Sequence, residues 1–193
     1  MIEGCQTKQV NLVITFIDFR KAFDSIRWPA LNSILAAYGI PQKLKNAIMA
    51  LYYGAKAVVT TRDGETDPFE LSAGVLQGDT LAPYLFVLVV DYILRRAIPD
   101  NTRSFTISPR VGTRSRTTFP AYAVSDLDFA DDIALLSHNH VDAQSLLTAV
   151  EQEALPAGLK INRKKTEYML VGGFKCDPGL TVIEARLDDF KYL

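Results

Sequence analysis

Val124-Ser125-Asp126-Leu127-Asp128-Phe129-Ala130-Asp131-Asp132-Ile133-Ala134-Leu135-Leu136 carries four carboxylates within seven residues. Ala121-Tyr122-Ala123-Val124 precedes this polar knot and Ile133-Ala134-Leu135-Leu136 follows it. Apolar, partly β-branched runs on either side predict two buried strands joined by a tight turn. Adjacent carboxylates at the edge of a core repel one another. A divalent cation relieves that repulsion, and hard carboxylate oxygens are its expected ligands. The alternative is an acidic turn facing water, and this stretch by itself leaves both open.

A second stretch bears on the first. Val10-Asn11-Leu12-Val13-Ile14-Thr15-Phe16-Ile17 is mostly apolar and β-branched and runs into Asp18. It reads as a central strand, buried on both faces. An ionised carboxylate there is costly without a partner, so Asp18 calls for a cation or a strand end open to water. Asp18 and Asp131 are far apart in the chain, and only tertiary structure brings them together.

Ile17-Asp18-Phe19-Arg20-Lys21-Ala22-Phe23-Asp24, then Ala73-Gly74-Val75-Leu76-Gln77-Gly78-Asp79-Thr80-Leu81-Ala82-Pro83, then Phe129-Ala130-Asp131-Asp132 resemble successive motifs of reverse transcriptases. Their order and spacing are similar to the non-LTR retrotransposon (LINE-type) branch. Gly158-Leu159-Lys160-Ile161-Asn162, with Lys165-Thr166, is similar to the fourth motif, and Phe190-Lys191-Tyr192-Leu193 to the fifth, the primer grip. Any one of these is a weak signal; five in order are a specific one.

The resemblance implies an α+β fold over residues 1–193, a polymerase palm with an antiparallel sheet, helices packed on one face, and part of the fingers. It implies an RNA-directed DNA polymerase that adds dNTPs to a primer 3′-hydroxyl, with an RNA template and a DNA primer as partners. Asp18 and Asp131 match the ligands of two Mg2+ ions, with Mn2+ a possible substitute, and Asp132 is the third acidic member. Lys165 matches a lysine near the pyrophosphate leaving group. Phe19, Arg20, Lys21, Ala22 and Phe23 would lie along the nucleotide, Phe23 as the aromatic gate against a 2′-hydroxyl. Gln77 and Gly78 would lie beside the incoming nucleotide and the template base, while Phe190, Lys191, Tyr192 and Leu193 grip the primer. Blander readings stand beside these. Phe23 can be a plain core aromatic, Lys165 a solvated lysine in the basic turn Arg163-Lys164-Lys165, and Asp79 a simple helix cap.

The rest of the chain sets limits. At 193 residues, 48% hydrophobic and 22% charged, it suits one globular domain with a sizeable core. The net charge of −1 is not the footprint of a self-sufficient nucleic-acid binder. Cys5 and Cys176 are too few for a disulfide framework or a zinc site, which suits a reducing compartment. Met1–Gln9 has no signal-peptide core, and the apolar run Leu81–Val90 is too short to span a bilayer. The expectation is an intracellular protein, cytoplasmic or nuclear, with no membrane partner.

Trp28-Pro29-Ala30-Leu31 opens a helix that stops at Gly39, and Pro41 opens another. Ile34, Leu35 and Tyr38, then Leu44, Ile48, Leu51 and Tyr52, fall at core-facing helical spacing. Ala55–Thr61 and Thr66–Leu71 read as a hairpin around Asp63-Gly64, and Thr80–Ile98 as a helix. Val141–Leu155 is an amphipathic helix that Pro156 should end early. Leu159–Asn162, Thr166–Val171, Leu180–Ile183 and Phe190–Leu193 read as strands. Between Asn101 and Ser125, Arg103, Arg110, Arg114 and Arg116 stand without an acid, either a phosphate-contacting surface or a solvated loop.

By the family's pattern, the basic fingers strands, the thumb and an endonuclease lie outside these residues, and the piece by itself is expected to be inactive. The competing reading is a non-catalytic retroelement remnant, acting only as a folded or nucleic-acid-binding module. A third is an unrelated divalent-metal palm such as a nucleotide cyclase, against which the Gln77-Gly78 loop counts.

Overall fold

In the computed structural model, residues 1–62, 64–76, 78–99, 103–107, 122–173 and 183–184 are described. The chain opens with helix α1 (Ile2–Lys8) and strand β1 (Leu12–Ile17), followed by three helices, α2 (Ala22–Ser25), α3 (Trp28–Ala37) and α4 (Gln42–Ala50). Four two-residue strands form the hairpin beyond them, β2 (Lys56–Ala57), β3 (Thr60–Thr61), β4 (Gly64–Glu65) and β5 (Phe69–Glu70). The long helix α5 (Ala82–Ala97) leads to β6 (Phe105–Ile107), β7 (Tyr122–Val124), β8 (Asp126–Phe129) and β9 (Asp132–Ser137). Helix α6 (His140–Ala157) and strands β10 (Glu167–Val171) and β11 (Ile183–Glu184) complete the described order.

The main sheet runs β11-β10-β1-β9-β8, with β1 at its centre. Strand β1 is antiparallel to β10 on one side and to β9 on the other, with Ile17 opposite Ile133 at the end of the ladder. Leu12, Val13 and Thr15 are fully buried, as the continuous apolar run of a two-sided strand requires. Successive side chains alternate between faces. Ile17, Ile133 and Leu135 point into the larger core, which α3, α5 and α6 cover with Leu31, Leu35, Phe86, Val89, Leu146 and Val150. Leu12, Ile14, Leu136, Met169 and Val171 point the other way, onto Cys5 of α1 and Phe105 of β6. The helices thus sit on one face, as expected, and α1 with the β6–β7 ribbon covers part of the second.

Several expectations change. The polar knot is not all turn: Asp126–Phe129 form strand β8, and Leu127 and Phe129 are exposed because β8 is the last strand of the sheet and nothing in the described order lies beyond it. Strand β11 joins parallel to β10, so the sheet is mixed at that edge. Leu44 and Leu51 are exposed, since α4 packs chiefly on α3 and only the stripe of Ile48, Met49 and Tyr52 is covered. Pro156 does not end α6 early. It falls in the last turn, where its missing N–H removes one intrahelical bond, and the helix still runs on to Ala157. Gly158 (φ +97°) closes it, its N–H donating to Leu155 O at 3.0 Å. Leu159–Asn162 forms a single antiparallel bridge, Phe19 to Ile161, in place of a strand. The expected strand Phe190–Leu193, and with it the primer grip, lies outside the described residues, as do Gln77, Asp63, Cys176, Arg110, Arg114 and Arg116.

Candidate active site

Asp18 follows the last residue of β1, where the buried strand meets solvent. Two bonds to its backbone fix it and a third fixes Arg20 beside it. Asn162 N donates to Asp18 O at 2.7 Å, Asp18 N to Thr166 Oγ1 at 3.3 Å, and Arg20 N to Lys160 O at 2.9 Å. The side chain stays 38% exposed, with Lys165 Nζ 4.0 Å from its Oδ1. Lys165 is itself 70% exposed, so water screens the pair and its contribution to stability is small. The segment that carries Lys165 is a turn built on Asn162, whose carbonyl accepts from both Lys165 N and Thr166 N at 2.9 Å. Asn162 and Thr166 are thus positioning groups to which the sequence reading gave no role. The signal was an Asn and a Thr flanking three basic residues, a frequent turn composition.

The hairpin β8–β9 pairs Phe129 with Asp132 and leaves Ala130-Asp131 as its two-residue turn. Ala130 has φ +56°, in the left-handed region that a residue with a Cβ enters only when the surrounding ladder holds it there. One step beyond the Ile17–Ile133 pair, Asp18 and Asp132 come opposite each other, and alternation gives them the face of Phe16 and Ala134. Asp18, Asp131 and Asp132 therefore share one end of the sheet. A cavity of about 430 Å3 lies against this end, lined by Phe16, Ile17, Leu127, Asp128, Phe129, Asp132, Ile133 and Ala134.

Hard oxygen donors of this kind suit a divalent cation. Asp131 and Asp132 are exposed, not charges at a core edge. Among the described residues no three His, Cys, Asp or Glu groups stand close enough to hold an ion, so the three carboxylates share a sheet end without being gathered. Like charges on exposed rotamers spread apart.

The acid of the motif whose carboxyl is shifted is Asp126. Burial pushes its carboxyl up, and the charge of Asp128 on the same face, then that of Asp91 on α5, push it further. Asp91 goes the other way. Burial raises it, but the Arg95 guanidinium, whose Nε donates at 2.7 Å, and the Tyr38 hydroxyl outweigh burial and hold it low. Burial and the bond to Asp91 push the Tyr38 phenol up to about 12.

The expected nucleotide-lining residues are divided by burial. Phe19 and Ala22 are buried in the larger core, so only their backbone can face a ligand. Arg20 and Lys21 are exposed, and Lys21 (φ +46°) turns the chain into α2. Phe23 is half-buried and stacks on Phe86 of α5, ring centroids 4.5 Å apart. The loop from Ala73 to Leu76 lies across α2, with Val75 N donating to Phe23 O at 2.8 Å, while Asp79 accepts from Leu81 N at 3.1 Å just before α5.

Residues 2–193 match the family described as reverse transcriptase (RNA-dependent DNA polymerase). The Retrovirus-related Pol polyprotein from type-1 retrotransposable element R2 of Nasonia vitripennis is 32% identical over 168 residues, covering 86% of this chain and 15% of that protein. The corresponding R2DM polyprotein of Drosophila melanogaster is 29% identical over 197 residues, covering 93% and 17%. The chain thus spans less than a fifth of the length of these two relatives. Among solved structures, Candida tropicalis telomerase in complex with a fragment of telomeric RNA matches with TM-score 0.62 at 13% identity, over 83% of this chain and 26% of that one. Apo telomerase from Candida tropicalis matches with TM-score 0.61 at 15% identity, over 86% and 32%. At such identities these similarities speak for the fold, an α+β polymerase palm. No helix among the described residues is long and apolar enough to cross a membrane. The chain belongs to the reverse transcriptase family, within its non-LTR retrotransposon branch.

Proposed function

We propose that this chain is the palm, with part of the fingers, of an RNA-directed DNA polymerase that extends a DNA primer on an RNA template inside the cell. The observation that carries the reading is the β1–β9 register, which puts Asp18 at the same sheet end as the Asp131-Asp132 turn despite their separation in sequence. Asp18, Asp131 and Asp132 would hold Mg2+, or Mn2+ in its place. Bound there, the cations supply charge neutralisation of the triphosphate and activation of the primer 3′-hydroxyl. The chain's own groups do the positioning on which such transfer depends. Phe23, backed by Phe86, offers a flat apolar wall to the sugar. Lys165, tethered by its turn within reach of Asp18, brings a mobile ammonium toward the leaving phosphates. Arg20 and Lys21 add exposed positive charge on the nucleotide side.

The ungathered carboxylates and the net charge of −1 favour the second reading, a non-catalytic retroelement remnant. One experiment separates the two: primer extension on RNA by a polyprotein of the relatives' length carrying this chain, with and without Asp131→Asn. Synthesis should vanish in the variant, while stability stays within about 0.5 kcal/mol because the residue is exposed. Undiminished synthesis would remove Asp131 from the reaction, and no synthesis by the parent protein would favour the remnant.

A further inference from the structure

We propose that Trp28 is a positioning residue whose indole N–H holds the Gly74–Leu76 loop onto the Asp18–Asp24 turn. Trp28 Nε1 donates to Gly74 O at 2.8 Å in a buried setting, with Trp28 only 7% exposed. Two backbone bonds run alongside, Gly74 N to Ile26 O and Val75 N to Phe23 O, both 2.8 Å. The contact is closer than side chains allow. Gly74 has φ +95°, and a Cβ there would stand 2.9 Å from the Cα of Asp24. The indole is held edge-on by Tyr53, at 5.8 Å between ring centroids, with Tyr52 at 6.2 Å on another side. A buried indole N–H needs an acceptor, and the one it takes here is a carbonyl of the loop. Its effect on nucleotide choice rests on the polymerase reading, because the loop and Phe23 are then the two walls whose spacing the bond fixes.

Both parts are testable, and they fail separately. The chain has a single tryptophan, so its indole N–H gives one assignable resonance in the 193-residue protein. That proton should be protected from hydrogen exchange, and Gly74→Ala should release it. In Trp28→Phe the amides of Gly74 and Val75 should exchange about fivefold to tenfold faster, the worth of one buried neutral hydrogen bond, while β1 amides keep their protection. Should Trp28→Phe not fold, β-(3-benzothienyl)alanine at position 28 keeps the ring and removes only the donor. An unprotected indole proton, or loop amides indifferent to losing it, would overturn the latch whether or not the protein polymerises. In a primer-extending polyprotein carrying the chain, Trp28→Phe should raise the KM for dTTP about fivefold with kcat little changed. Incorporation of UTP relative to dTTP should rise with it. A loss of thermal stability with neither parameter moved would make Trp28 a core residue only. If the parent extends no primer, the polymerase reading falls while the exchange result still decides the latch.

Discussion

Phe23 owes its orientation to Phe86, a fully buried residue of α5 on which its ring stacks at an interplanar angle of 16°. A half-buried ring fixed on one side has its other side to offer a ligand. Phe23→Ala should therefore let ribonucleotides into a primer-extending protein that carries the chain, read as the ratio of UTP to dTTP incorporation. A plain core aromatic would lose roughly 1–3 kcal/mol of stability and leave that ratio unchanged. Asp126 makes a different prediction. Its carboxyl binds a proton more tightly in the folded chain than at its ordinary value of 3.8, burial first and the charge of Asp128 second. Ionising it therefore penalises the native state, so its contribution to stability falls as pH rises from 3.8 through the raised value and stays low above it. Asp126→Asn should raise the melting temperature at neutral pH, and the two melting curves should converge below pH 3.8. Asp91, held low by Arg95 and Tyr38, works in the opposite sense, contributing stability above its ordinary value and losing it on acidification. It is common to both proteins, so the difference between the curves isolates Asp126.

Elements meet around the Asp18 turn at two glycines, and one of them predicts an asymmetry. A Cβ on Gly158, just past α6, would stand 2.2 Å from Ser25 O and 2.9 Å from Arg27 Cγ, whereas one on Gly39, just past α3, would meet open space. Both have positive φ, which in an L residue costs about 1–2 kcal/mol. Gly39→Ala should lose that much in urea unfolding. Gly158→Ala should lose more than about 3 kcal/mol, since backbone must also shift. The stop at Gly39 was legible in the sequence, because a glycine after an apolar periodic run is a local signal; the stop at Gly158 was not, since Pro156 pointed to an earlier end. Helices α5 and α6 themselves were legible, since their lengths exceed any ambiguity of period. Neighbours were not legible. The polar knot gave no sign that Asp126–Phe129 forms an edge strand, and Leu44 and Leu51 fit an apolar stripe that α4 has too few partners to cover. At the site, residue chemistry by itself left Asp131 and Asp132 open between a metal and water. The motif order tied them to Asp18. Only the β1–β9 register says that Asp18 and Asp132 share a face, and only the coordinates say that Asp126 is the acid that burial perturbs.

At the scale of the whole molecule, folding and polymerisation ask different things of the same 193 residues. One continuous cluster joins Ile17 and Ile133 of the sheet to Leu31, Phe86, Val89 and Val150 of three helices, and a second cluster closes the opposite face. That is burial on the scale of an ordinary single domain, so the chain should give a cooperative unfolding transition. Polymerisation asks for more. A duplex is held chiefly through its phosphates, and 21 Lys and Arg against 22 Asp and Glu leave the chain at −1. The sheet end where a primer terminus would sit carries Asp18, Asp131 and Asp132, with the ammonium of Lys165 beside Asp18. Cations at that end neutralise only part of a triphosphate, and geometry that only cations hold gives little of the advantage of orientation. The chain covers 15–17% of the length of its R2 relatives from Nasonia vitripennis and Drosophila melanogaster, and the longer proteins have room for the basic surfaces these residues lack. The purified 193-residue chain should therefore melt cooperatively, bind a primer–template weakly with an affinity that salt abolishes, and extend nothing on RNA with Mg2+ or Mn2+. Processive, metal-dependent synthesis by this chain that disappears in Asp131→Asn would show the opposite, that the palm holds its substrates without help.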